Sequence, residues 1–206
     1  NASGPKAFQE LEELKKDMPD GVTFDGKGRF YPWDLLFVKN AYKKKHFNID
    51  ERKIAEYFPV QKALEGMLGI YEEFLSLKFS MVKPDWVWHK DVELVQVNDK
   101  QTDKLLGYIF LDLYPRENKK KNACCGAVVK GYVGKDSKTG AIKDVPYVGI
   151  MLANFPKATS DRPALLKHGD VETFFHEFGH AIHGILGRTE LSGAAGTAVK
   201  VDFVEL

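Results

Sequence analysis

Phe174-Phe175-His176-Glu177-Phe178-Gly179-His180 reads as HExxH, and the spacing has a mechanical meaning. On an α-helix, positions i and i+4 stand one above the other on one face. His176 and His180 therefore aim two imidazole nitrogens at one point. Zinc takes such nitrogens at about 2.0–2.1 Å in a tetrahedral shell. Glu177, next in the chain, is then placed to act as general base on an attacking water. The flanks predict the helix. Asp170 is a candidate cap, and Val171, Phe174, Phe175, Phe178, Ala181, Ile182 and Ile185 build a broad apolar side. At helical spacing, His176, His180 and His183 gather on the opposite side. The competing reading is a chance HExxH on a solvated face. A helix with one apolar side and three stacked histidines is not an ordinary surface helix.

A third ligand is required. The extended motif HExxHxxGxxH needs glycine at 183 and histidine at 186. The chain has His183 and Leu186, which excludes that class. The other common solution is a glutamate on a following helix. Asp202-Phe203-Val204-Glu205-Leu206 offers one, beyond a glycine-rich reversal from Gly187 to Gly196.

These segments carry a resemblance. Leu165-Leu166-x-His168, then Phe175-His176-Glu177-Phe178-Gly179-His180-x-x-His183, then Asp202-Phe203-Val204-Glu205 resemble the thimet oligopeptidase and neurolysin family of zinc metallopeptidases. That family includes bacterial oligopeptidase A and peptidyl-dipeptidases. Gly107-Tyr108-Ile109-Phe110-Leu111-Asp112-Leu113-Tyr114-Pro115-Arg116 is similar to its G-x-x-x-L-D-L-Y-P-R segment. Glu56-Tyr57-Phe58-Pro59 and Gly69-Ile70-Tyr71 match its helical region, so the resemblance runs from about Tyr31 to the end. It implies one Zn2+ per chain, held by His176, His180 and Glu205, with Glu177 as base. It implies hydrolysis of peptide bonds in short peptides. Family members are several times longer, so the resemblance also implies a zincin-like catalytic fragment of a larger helical metallopeptidase. Further oxyanion donors would lie beyond Leu206, and the chain alone is expected to be weakly active or inactive. The alternatives are a non-catalytic truncated fragment with an incomplete zinc site, and peptidyl-dipeptidase activity in the full-length protein.

Composition sets wide bounds. A chain of 206 residues with 44% hydrophobic content is an ordinary globular length and mix. A net charge of +1 gives no pull toward nucleic acid or a membrane surface. No apolar run approaches the ~18–20 residues of a membrane span. Asn1-Ala2 reads as an expression scar and carries no fold information. Cys124 and Cys125 are adjacent, a poor disulfide geometry, and are read as two small buried side chains in a reducing, cytoplasmic setting rather than as metal ligands.

The fold class expected is mainly α with a small β-sheet, α+β. The helical segment is placed at 1–83, the sheet at 84–155, and the zinc-site helix with the start of the third-ligand helix at 156–206. Helices are predicted from Ala7 to Met18, Pro32 to Phe47, Asp50 to Phe58 and Pro59 to about Met81. The Lys43-Lys44-Lys45 run is read as a solvated face. Gly66 and Gly69 cost helix stability, and close packing against a neighbouring helix would explain them. Strands are predicted at Val92 to Val97, Leu105 to Leu113, Gly126 to Val133 and Pro146 to Asn154. An exposed edge formed by Gly126 to Val133 or Val148 to Asn154 is a candidate seat for an extended peptide.

Other polar residues have assigned roles. Glu172 precedes His176 by one turn and is a candidate acceptor for that imidazole's far N–H. Its alternative is an exposed first-turn acid that suits the helix dipole. His183 lines up with the ligand pair and is a candidate supporting or substrate-side residue. His168 is read as a structural hydrogen-bonding residue, and His46 and His89 as packed or surface residues. Gly179 would let another backbone approach the metal, and Asp112 and Arg116 would pair structurally.

Overall fold

The computed structural model describes residues 12–13, 15–16, 18–29, 31–136 and 138–205. The helix expected from Ala7 to Met18 falls largely outside them. The chain forms two compact units, Asn1–Lys53 and Ile54–Leu206.

In the first unit a 3-10 turn at Pro32–Asp34 leads into helix α1, Leu35–Phe47. Proline's fixed φ and missing N–H suit this first turn. Lys44, Lys45 and His46 fill the last turn, where cations suit the carbonyl end of the dipole. The helix stops at Asn48, whose φ of 52° is left-handed. Helix α2, Glu51–Ala55, opens where the Asp50 carboxylate accepts the Arg52 N–H at 2.9 Å. The boundary between the units falls within it.

The second unit begins with helix α3, Val60–Leu75, which buries Val60, Leu64 and Met67 at i, i+4 and i+7. The sequence predicts this helix to about Met81. It stops instead at Ser76, which takes a left-handed φ of 52°. Leu77–Val82 is strand β1, paired antiparallel with β2, Glu93–Asp99, from Leu77 opposite Asp99 to Val82 opposite Leu94. The Glu72 carboxylate accepts the Phe79 N–H at 2.8 Å and ties the end of α3 to the new strand. Gly66 and Gly69 correct a second expectation. A Cβ on either would meet nothing within 4 Å, so no helix among the described residues explains them.

The sheet continues through β3, Leu105–Asp112, β4, Cys124–Val129, and β7, Tyr147–Leu152; β5, Tyr132–Lys135, and β6, Ile142–Val145, form a separate antiparallel hairpin. The five strands lie in the order β1-β2-β3-β7-β4, and only β3 and β7 run parallel. A parallel pair needs a crossover, and here β4 and the hairpin supply the chain that makes it. The run predicted as one strand from Gly126 to Val133 is broken at Lys130-Gly131, so that β4 and β5 belong to different sheets. Of Val148 to Asn154, a candidate edge from sequence, Val148 to Leu152 lies in β7 and is paired on both sides. The free edge nearest the HExxH helix is β4.

Helix α4, His168–Leu186, lays Phe174, Phe178, Ala181, Ile182 and Ile185 onto the sheet. They meet Val95, Val97, Ile109, Leu111 and Met151, all inaccessible to solvent, in one apolar core. Phe178 also meets Phe79 and Tyr71, with ring centroids 5.9 and 5.3 Å apart. The connection before α4 is anchored to the start of α3: Leu166 N–H donates to Phe58 C=O at 2.8 Å, and Val60 N–H to Ala164 C=O at 3.0 Å. A second anchor sits where β3 ends. The Asp112 carboxylate, 1% exposed, accepts both Arg116 N–H groups, at 2.6 and 2.8 Å, and the Trp88 indole at 2.9 Å. The pairing of Asp112 with Arg116 follows expectation, and Lys119 is buried beside them.

Candidate metal centre

The first turn of α4 is closed by Asp170, which sits inside the helix rather than at its cap. Its carboxylate accepts the Lys167 N–H at 2.9 Å, while Asp170 N–H donates back to Lys167 C=O at 3.0 Å. Two turns on, His176 and His180 project from one face with their rings 4.5 Å apart and nearly perpendicular, at 82°. Their Nε2 atoms are 3.0 Å apart. After α4 the chain reverses through residues 187–200 and forms a single turn, α5, Val201–Val204. Glu205 closes that turn, its N–H donating to Val201 C=O at 3.1 Å. Glu205 Oε2 lies 3.2 Å from His176 Nε2 and 3.5 Å from His180 Nε2.

Corners of a tetrahedron drawn at zinc–ligand distances of about 2.0–2.1 Å stand about 3.3 Å apart. The observed separations of 3.0, 3.2 and 3.5 Å bracket that value. Two imidazole nitrogens and a carboxylate oxygen, facing one another across such edges, fit a small divalent ion. Among the described residues this is the one group of three or more His, Cys, Asp or Glu side chains so arranged. His180 is 15% exposed, while His176 and Glu205 are open to solvent on one side.

Two clefts flank the trio. One, of about 240 Å³, runs between His180, Glu205 and the β4 edge at Cys125, Gly126 and Ala127, with Tyr147 and Thr197 in its wall. The other, of about 440 Å³, opens on the α3 side between His176, His183, Phe203 and Tyr71. Burial raises the Tyr71 phenol, whose hydroxyl lies 3.5 Å from Phe175 C=O. Burial, the Glu177 carboxylate and the neighbouring Cys124 together push the Cys125 thiol up to about 12. Cys125 shares a hydrogen bond with Tyr147, whose phenol is raised by its own burial. Both groups are therefore neutral donors at neutral pH, one of them beside Glu177.

The remaining polar candidates and glycines take varied places. Glu172 does not reach His176. It points the other way along the helix, 3.7 Å from His168 Nδ1, and both side chains are exposed. His183 makes an edge contact with Phe203, centroids 6.3 Å apart, and lines the outer cleft. Gly179 faces the Tyr71 hydroxyl, not another backbone. The two cysteines are half-buried rather than buried, and Cys125 forms part of the inner cleft. His89 is structural, accepting the Asp91 N–H at 3.2 Å, and His46 stacks on Tyr42. Tyr147, Cys125 and Thr197 were not singled out as site residues. They come from three segments, and no local spacing links them.

The whole chain, residues 1–206, matches the profile of Peptidase family M3. It belongs to that family. Among its relatives, saccharolysin of Saccharomyces cerevisiae is 35% identical over 209 residues, covering 98% of this chain and 29% of its own length. Thimet-like oligopeptidase of Dictyostelium discoideum is 35% identical over 204 residues, 96% of this chain and 29% of its own length. Oligopeptidase A of Escherichia coli is 34% identical over 203 residues, 98% and 28% respectively. The chain thus spans less than a third of these M3 relatives. No helix among its described residues is long and apolar enough to cross a membrane.

Proposed function

We propose that this chain carries the zinc site and the general base of an M3 oligopeptidase, a zinc-dependent enzyme that hydrolyses peptide bonds in short peptides. The observation that carries the reading is the convergence of His176, His180 and Glu205, from two separated segments, on one point. His176 Nε2, His180 Nε2 and Glu205 Oε2 would hold the ion, in a zincin-like arrangement of HExxH helix and sheet. Bound zinc would supply Lewis-acid polarisation of the scissile carbonyl and acidify the attacking water. Glu177 takes the proton from that water and returns it to the leaving nitrogen. The neutral Cys125 thiol near Glu177 adds no competing charge at that carboxylate.

The peptide lies along β4. This strand pairs only with β7 among the described residues; Gly126 to Val129 is exposed, and Cys125 to Ala127 lines the inner cleft. An extended peptide can add there as a further strand, its main chain satisfied by β4 and its scissile bond carried toward the trio. Short peptides are the proposed substrates. Full activity is proposed for the longer protein, with slow turnover by this chain alone. The adjacent thiols suit a reducing compartment, and we place the protein in the cytoplasm.

Glu177→Gln tests the reading. General-base removal costs about 10²–10⁴ in rate. Peptide cleavage by the enzyme should fall by that order while zinc content stays level. Unchanged cleavage in Glu177→Gln would assign the base elsewhere.

A further inference from the structure

Glu205 follows the strap that joins α4 to α5, residues 187–200, and the edge contact of Phe203 on His183 lies beside it. A carboxylate on a loose strap would spend little time at 3.2 Å from His176. The strap is held at two places. At its outer end Val133 N–H donates to Thr189 C=O at 3.1 Å, and the Arg188 guanidinium pairs with Asp144. At its inner end the contact is backbone on backbone. Gly196 N–H donates to Gly187 C=O at 2.6 Å. A Cβ on Gly196 would lie 2.8 Å from Gly184 Cα in α4, and one on Gly187 would lie 2.9 Å from Gly196 Cα. Gly196 also takes a left-handed φ of +57°. Non-bonded carbons rest about 3.5–4.0 Å apart. One methyl group at 196 would therefore lift the strap from α4 by about 1 Å, whereas metal-ligand distances tolerate about 0.2 Å.

We propose that Gly196, seated on Gly184, is a positioning residue: the missing side chain sets the height of the strap on α4 and thereby delivers the Glu205 carboxylate to His176 and His180. The proposal rests on the reading that this trio binds zinc. Gly193 supplies an internal control, since it lies in the same strap and a Cβ there would meet nothing within 4 Å.

The test compares the parent chain with Gly196→Ala, Gly193→Ala, Glu205→Ala and the double variant Gly196→Ala/Glu205→Ala. Zinc affinity is measured by chelator competition. The d–d absorption of the cobalt(II)-loaded chains reports coordination, and circular dichroism reports the fold. Gly196→Ala is expected to keep its fold, to lose at least tenfold in zinc affinity, and to give the weakened cobalt spectrum of Glu205→Ala. Adding Gly196→Ala to Glu205→Ala should cost nothing more, and Gly193→Ala should match the parent. A merely structural glycine would lower the melting temperature, leave the cobalt spectrum alone, and add its loss to that of Glu205→Ala; that result overturns the proposal. If Gly196→Ala does not fold, Gly187→Ala, whose Cβ would also crowd Gly196 Cα at 2.9 Å, takes its place with the same outcomes. A Glu205→Ala chain that binds zinc as tightly as the parent refutes the ligand assignment itself. Failure of the positioning role alone leaves Glu205→Ala deficient and Gly196→Ala normal.

Discussion

Lys119→Met should be the most damaging single exchange outside the apolar core. The Lys119 side chain is 2% exposed. Its ammonium donates to three backbone carbonyls, Asp112 at 2.7 Å, Tyr114 at 2.7 Å and Ala153 at 2.6 Å, and lies 2.8 Å from Asp112 Oδ1. It therefore fastens the end of β3, the following turn and the end of β7, just before the chain enters β4. Methionine keeps the stem and removes every donor. Breaking one side of a buried ion pair costs about 3–5 kcal/mol, and the orphaned carbonyls push toward the upper end. A domain of this size has only about 5–15 kcal/mol to lose. Arg116→Met should cost less, about 1–2 kcal/mol, because Arg116 is 26% exposed and Asp112 keeps Lys119 and Trp88.

Acid adds an independent readout. Burial by itself would raise the Asp112 carboxyl, yet the bonds from Arg116, Lys119 and Trp88 hold it well below its ordinary value of 3.8. A depressed carboxylate stabilises the fold above its unfolded value, and the contribution is lost as pH falls through the folded value. Removing Lys119 shrinks the depression, so Lys119→Met should begin acid unfolding at higher pH than the parent. Urea denaturation at neutral pH, followed by an acid titration of the circular dichroism, measures both. A loss below about 1 kcal/mol, or a loss smaller than that of Arg116→Met, would refute the reasoning.

Gly66→Ala and Gly69→Ala place a methyl group in open space on α3 and should each stabilise the chain by about 1 kcal/mol; a lower melting temperature in either would point to a packed neighbour. Cys125, held protonated by burial and by Glu177, should resist iodoacetamide at pH 8 in the folded chain and react once urea is added. Mass spectrometry of the labelled peptide reads this directly, and rapid labelling of native Cys125 would contradict it.

The helix that carries His176 and His180 was legible because a 3.6-residue period and an i, i+4 pair are local. Glu205 was legible through the D-F-V-E resemblance; spacing alone left it a candidate. Glu172 went astray because on a helix it neighbours position 168 as closely as position 176, and His168 is the exposed partner it meets. Strand β1 was hidden because Leu75 and Phe79 satisfy a helical period while Leu77, Phe79 and Met81 satisfy a strand period. The left-handed Ser76 decided between them. The order of strands is not a local property. Nothing in the run from Val148 to Leu152 says that it lies between β3 and β4, and so the choice of edge had to wait for the pairing. Cys125 and Tyr147 share a cleft with His180 and Glu205 only because β4 and β7 pack against α4.

X-ray absorption at the zinc edge of the metal-loaded chain tests the central assignment most directly. The account predicts one bound ion with imidazole nitrogen and carboxylate oxygen scatterers at about 2.0–2.1 Å and no sulfur. A sulfur shell at about 2.3 Å would put the metal on the neighbouring cysteines instead, and a chain that takes up no zinc would leave the convergence of His176, His180 and Glu205 without its proposed purpose.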